Sequence, residues 1–168
     1  MRVRQYVYFG ISSAFTTAAQ MTARLGIEPD HFLVRASRTP EMDIPRSHQW
    51  RVECREPGLT VDGQTAKVLS RVLPQEQRIA ELVSDIREED PPGGARLQVV
   101  RYFNDEDGED ETSRETLRLD DGKELEKLTG QHQLLGWHLS QDVLAFLRVV
   151  GADVDVDEYS SRTNPGQF

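Results

Sequence analysis

The sequence predicts an α+β domain: a mainly antiparallel sheet with helices packed on one face, in ferredoxin-like β-α-β-β-α-β order with an added C-terminal β-α-β. Three observations carry this reading. Tyr6–Ile11 and His48–Arg55 alternate in polarity with period two, the mark of a strand half buried in a sheet. Thr65, Val68, Leu69 and Val72, and again Ile79, Leu82, Val83 and Ile86, recur at i, i+3, i+4, i+7, the inner stripe of a helix. Helices interleaved with short strands in this way suit one helical layer on one sheet. At 168 residues the chain is long enough for one real core. Residues 1–159 are assigned to a single domain and 160–168 to a flexible tail.

Taken in order, Val7, Phe9 and Ile11 face one side of the first strand and Tyr6, Tyr8 and Gly10 the other. Thr17 and Gln20 have capping-box spacing, Ala18, Met21 and Leu25 share a helix face, and Gly26 stops that helix. Phe32–Ser37 is read as a short strand between Pro29 and Pro40. In His48–Arg55, His48, Trp50, Val52 and Cys54 lie on one face, and Gln49, Arg51, Glu53 and Arg55 on the other. Pro57-Gly58 is a turn, and Pro74 kinks or divides the helical stretch that follows. Leu97–Phe103 is a strand buried on both faces. Residues 104–129 are polar, with a short exposed helix around Thr112–Leu119. Leu134–Leu139 is read as a strand. Ser140 then caps a helix whose Val143, Leu144, Leu147 and Val150 face inward, and Gly151 closes it. Ala152–Tyr159 is the last strand, with Val154 and Val156 alternating against Asp153, Asp155 and Asp157.

Composition narrows function by exclusion. Twenty basic against 29 acidic side chains give a formal charge of −9, which argues against nucleic-acid and anionic-membrane partners. No apolar run approaches the roughly 20 residues of a membrane helix, and Met1–Gln5 lacks a signal-peptide core, so a soluble cytoplasmic domain is expected. Cys54 is the single cysteine, which excludes an internal disulfide and a cysteine-only zinc site. The chain has no nucleophile-elbow, P-loop or dinucleotide fingerprint, and Pro91-Pro92-Gly93-Gly94 reads as a turn rather than a phosphate cradle. Asn104–Glu111 fails the EF-hand test, because Gly108 at position six puts Arg114 at position twelve. Asp153, Asp155 and Asp157 are set about 6.6 Å apart on one strand face, an edge charged against aggregation rather than a metal cage. The four histidines show no zinc-type spacing. No cofactor and no metal are expected.

Two stretches concentrate the residue types that grip ligands and partners. In the first, Arg35, Ser37 and Arg38 are followed after a Pro-bounded loop by Ser47, His48 and Trp50; in the second, Gln131 and His132 precede Trp137. These nine residues are the candidate binding set, against the plainer account in which both tryptophans anchor the core and the arginines are surface charge.

At the same stretches the sequence resembles the bacterial domain-of-unknown-function 4279 family. The likeness runs through Tyr8–Ser13, Met21–Asp30, Arg35–Arg38, Ser47–Trp50, Gln131–His138 and Asp155–Tyr159, thus roughly residues 6–159. A helix ending in Leu-Gly-x-x-Pro, then a short basic strand and a Trp-bearing strand, is its most distinctive feature. It departs at Ala36, where glycine is expected. The resemblance implies a small bacterial α+β protein and brings no reaction, cofactor or catalytic residue with it.

The leading reading is a non-enzymatic protein-binding module of the bacterial cytoplasm, resembling immunity proteins in covering a basic surface of its partner. The alternative is a small-ligand-binding or hydrolytic enzyme with an Arg/His pocket, Arg35 and Arg38 holding an anionic group and His48 or His132 serving as acid/base. The charge is also local. Glu88, Glu89 and Asp90 with Asp105, Glu106, Asp107, Glu109, Asp110 and Glu111 account for the whole acidic excess, and both groups flank the Leu97–Phe103 strand.

Overall fold

The computed structural model describes residues 1–110, 116–118, 122–126 and 135–160. Its spine is β1 (Arg2–Ser13), whose odd-numbered residues Val3, Val7, Phe9 and Ile11 are fully buried while the even-numbered ones are half-buried or exposed. The chain leaves β1 for α1 (Ala18–Leu25) through a complete capping box. The Thr17 hydroxyl accepts from the Gln20 N–H, and the Gln20 side chain accepts from the Thr17 N–H. Ala18, Met21 and Leu25 are the buried face, and Gly26 ends the helix at φ 67°, a left-handed value that a side chain would strain.

β2 (His31–Leu33) is shorter than the Phe32–Ser37 strand expected, because Ala36 takes φ 57° and turns the chain out of the ladder. β3 (His48–Cys54) buries Trp50, Val52 and Cys54, as its alternation predicts. Pro74 divides the next helical stretch. α2 (Val61–Val72) and α3 (Glu76–Glu89) are joined by a single 3₁₀ turn at Leu73–Gln75. β4 (Gly94–Phe103) follows, buried on both faces between Leu97 and Arg101. Short strands β5 (Glu109–Asp110), β6 (Thr116–Arg118) and β7 (Glu124–Glu126) come next. After them the chain forms α4 (Gln141–Val150), capped by Ser140 and Gly151, and β8 (Asp153–Ser160).

The fold is α+β, and its main sheet is mixed rather than purely antiparallel. The strand order is β2-β3-β1-β4-β8, with β5 added beside the start of β1. β1 is antiparallel to both β3 and β4, whereas β8 lies parallel to β4 after the α4 crossover. One core cluster joins Val7, Phe9 and Ile11 of β1, Trp50 and Val52 of β3, and Leu97 and Val99 of β4 to the apolar faces of α1, α2, α3 and α4. The helical layer therefore covers the odd-numbered face of β1.

Three further expectations are corrected. Thr116–Arg118, placed in a short helix from sequence, pairs instead with Glu124–Glu126 as a two-stranded ribbon; the rest of Thr112–Leu119 lies outside the described residues. Leu135–Leu139 is not a strand. Two of its backbone groups are taken by side chains, Arg101 donating to the Leu135 carbonyl (3.2 Å) and Asp62 accepting from the His138 N–H (2.8 Å), while Trp137 and Leu139 rest on the core. In α4 Phe146, Leu147 and Val150 are buried and Val143 is half-buried against the core. Leu144 is exposed, and Phe146 meets Phe9 edge-on at 5.6 Å.

Candidate functional site

The even-numbered face of β1 points away from the helical layer, and the sheet gathers all four tyrosines of the chain on it. Tyr6 and Tyr8 come from β1, Tyr102 from β4 and Tyr159 from β8. Tyr102 and Tyr159 are register partners with rings stacked at 5.0 Å, and Tyr6 and Tyr8 stack at 6.4 Å. Arginines from the same face lie over these rings: Arg55 over Tyr6 at 3.7 Å, Arg4 over Tyr102 at 4.3 Å and Arg51 over Tyr8 at 4.5 Å. Partial burial raises the Tyr8 hydroxyl above its usual titration range, against the pull of Arg51. The result is an aromatic–guanidinium surface in which three arginines stack on three of the four tyrosine rings.

Most of these cations are balanced. Arg4 pairs with Asp105 at 2.8 Å, Arg55 with Glu53 at 2.7 Å and Arg96 with Asp155 at 2.9 Å. The Arg4 hydrogen bond holds the Asp105 carboxyl below its ordinary range. Arg51 differs. It stacks on Tyr8 and donates to the Gln49 amide oxygen, and among the described residues it has no carboxylate partner. Across the sheet Arg51 is in register with Gly10, Gly10 with Arg96 and Arg96 with Asp153. A half-open cavity of about 150 Å³ lies over this row, lined also by Ser12, Ser47 and Gln49.

The sequence-derived candidates fall in different places. Arg35 and His48 come together: the Arg35 N–H donates to His48 Nδ1 at 3.1 Å, and the Arg35 guanidinium reaches the Ala14 carbonyl (3.3 Å) and Asp43 (2.9 Å). Burial, then the Arg35 charge, lowers the His48 pKa from its usual value. Ser37 and Arg38 are exposed on the loop beyond. Trp50 is wholly buried beneath the helical layer, its indole N–H donating to Thr22 at 3.2 Å. Ser47 lines the cavity on the opposite face. Trp137 is half-buried against the core, and Gln131 and His132 lie outside the described residues.

The tyrosine–arginine face was missed from sequence. The signal was present in two halves, Tyr6/Tyr8/Gly10 on β1 and Gln49/Arg51/Glu53/Arg55 on β3. Period two says which residues share a face but not which strands adjoin. Among the described residues, no group of three or more His, Cys, Asp or Glu side chains is placed to hold a metal ion. No described helix is long and apolar enough to cross a membrane. A family model described as a domain of unknown function, DUF4279, matches residues 3–121. No curated protein and no solved structure matches the chain.

Proposed function

The chain belongs to the DUF4279 family, and from that premise we propose that it is a non-enzymatic protein-binding module of the bacterial cytoplasm that docks its partner on the tyrosine–arginine face. The observation that carries this reading is the convergence of Tyr6, Tyr8, Tyr102 and Tyr159 with Arg4, Arg51 and Arg55 on the sheet face opposite the helices. Tyr and Arg are the side chains that dominate interface energetics, and prior stacking lowers the entropy lost on binding. Arg4, Arg55 and Arg96 are already paired and Arg51 stands within the face without a carboxylate partner among the described residues, while Asp153 and Asp157 on β8 and Glu106 and Asp107 beside β1 put acidic charge at the rim. The partner is accordingly a protein with a basic surface, as for an immunity protein. We read the β2-β3-β1-β4 part of the sheet, antiparallel throughout, as the ferredoxin-like unit, and α4-β8 as its C-terminal addition.

Photo-crosslinking residues placed at Tyr159 and, on the helical layer, at Arg78 test this in the native cell. A single basic protein captured from position 159 and not from 78, and bound at least tenfold more weakly by Tyr102→Ala, is the expected result. Equal capture from both positions, or unchanged affinity in Tyr102→Ala and Arg55→Ala, overturns it.

A further inference from the structure

We infer that the notch over Gly10 is an oxyanion site, taking a carboxylate or phosphate group with Arg51 as its anchor. Three features of the row build it. Gly10 interrupts the even-numbered face of the central strand, where every other residue from Arg4 to Ser12 carries a side chain. Neighbouring strands lie about 4.8 Å apart, so Arg51 and Arg96 stand roughly 10 Å from each other with the glycine gap between them. Glycine inside a strand marks a bulge, a bend or a close approach to the backbone, and here the Tyr8 ring and the Arg51 stem make that approach from one side.

The lining supplies what an oxyanion needs. The Arg51 guanidinium is oriented from two sides, by the Tyr8 ring and by the Gln49 amide oxygen, which leaves further N–H groups of its fork to donate. A Cβ at position 10 would come within 3.2 Å of the Tyr8 ring and 3.5 Å of the Arg51 stem, so the missing side chain makes room for the Tyr8–Arg51 stack. Ser12, Ser47 and Gln49, each with a polar side chain, also line the 150 Å³ cavity. Asp153 stands at the far end, beyond Arg96, and Arg96 is already paired with Asp155. The anion is thereby drawn to the Arg51 side. Arg51 is also set apart from Arg4, Arg55 and Arg96 by having no carboxylate partner among the described residues.

The site goes beyond the protein-docking reading and does not depend on it: a free small anion and the terminal carboxylate of a bound peptide share the chemistry. The test is an amide-resolved NMR titration of the whole chain with acetate, with inorganic phosphate, and with a short neutral peptide carrying a free C-terminus. Sodium chloride at matched ionic strength is the control. Saturable shifts at Gly10, Ser12, Arg51 and Gly94 are expected, absent with chloride, weakened at least tenfold in Arg51→Gln and partly kept in Arg51→Lys. Tighter binding of the peptide assigns the group to a protein tail, and tighter binding of phosphate to a free ion. No saturable shift, or shifts unchanged in Arg51→Gln whose other amides stay in place, overturns the site. Crosslinking from Tyr159 can fail while this titration succeeds, and the reverse.

Discussion

The backbone N–H of Arg35 donates to His48 Nδ1 at 3.1 Å, so the one acceptor nitrogen of a neutral imidazole fastens the loop after β2 to the first residue of β3. Protonation removes that acceptor. Burial and the nearby Arg35 charge both disfavour the cation, so the folded-state pKa lies below the usual 6.5. The unfolded chain thus binds the proton at a higher pH than the folded one. The stabilisation is complete above about pH 6.5. It is lost as pH falls from there towards the depressed folded value. Urea melts between pH 7.5 and 5 should show this decline in the wild type and a flatter profile in His48→Gln. Parallel profiles remove His48 from the account.

Ala36 sits at φ 57° with its N–H donating to the Pro45 carbonyl, a left-handed position held by a residue with a Cβ. The conformation costs a non-glycine residue about 1–2 kcal/mol. Glycine relieves that but makes the unfolded chain more flexible by about 0.4–1 kcal/mol. Ala36→Gly should therefore stabilise the protein by roughly 0.5–1 kcal/mol in chemical denaturation. A destabilised variant would mean the turn relaxes around Ala36 without strain.

Gln64, 1 % exposed on α2, donates through Nε2 to two carbonyls, Gln5 on β1 and Glu56 after β3, both at 3.2 Å. Gln5 in turn donates to the Leu59 carbonyl (3.0 Å) and accepts from Arg101. Among the described residues the Gln64 Oε1 has no hydrogen-bond partner, so no such bond is lost there on substitution. Gln64→Leu keeps the volume and leaves the two carbonyls without this donor, at about 1–3 kcal/mol for such groups. A loss near 2 kcal/mol is expected, and one below about 0.5 kcal/mol would show that water replaces the amide.

What could be read from the chain was what local chemistry determines. The Thr17/Gln20 capping box, the Pro74 break, and the buried side of His48–Cys54 each depend on residues within one turn or one strand. Leu134–Leu139 has a strand's pattern, yet the Leu135 carbonyl and the His138 N–H are engaged by Arg101 and Asp62, 34 and 76 residues away. Trp50 was equally ambiguous. As a strand-face aromatic it suited a ligand site or a core, and only the packing of α1, with Thr22 beneath the indole N–H, settles it as core. The tyrosine–arginine face depends on β1 lying between β3 and β4, a relation between residues 35 to 47 apart for β1 and β3 and 82 to 100 apart for β1 and β4.

The acidic segment after β4 does two separable things. Asp105 is tied to Arg4 at 2.8 Å and orders the edge of the tyrosine face, whereas Glu106 and Asp107 are exposed. Reversing the exposed pair should act on encounter rather than on structure. Glu106→Lys/Asp107→Lys is expected to leave the melting curve in place and to slow association with the proposed basic partner about tenfold at low salt. The deficit should shrink towards 1 M salt, where the Debye length is about 3 Å. Asp105→Lys breaks the Arg4 pair and should raise the dissociation rate as well, at every salt concentration. Association indifferent to both substitutions would detach the acidic rim from recognition, leaving Asp105 only its place beside Arg4.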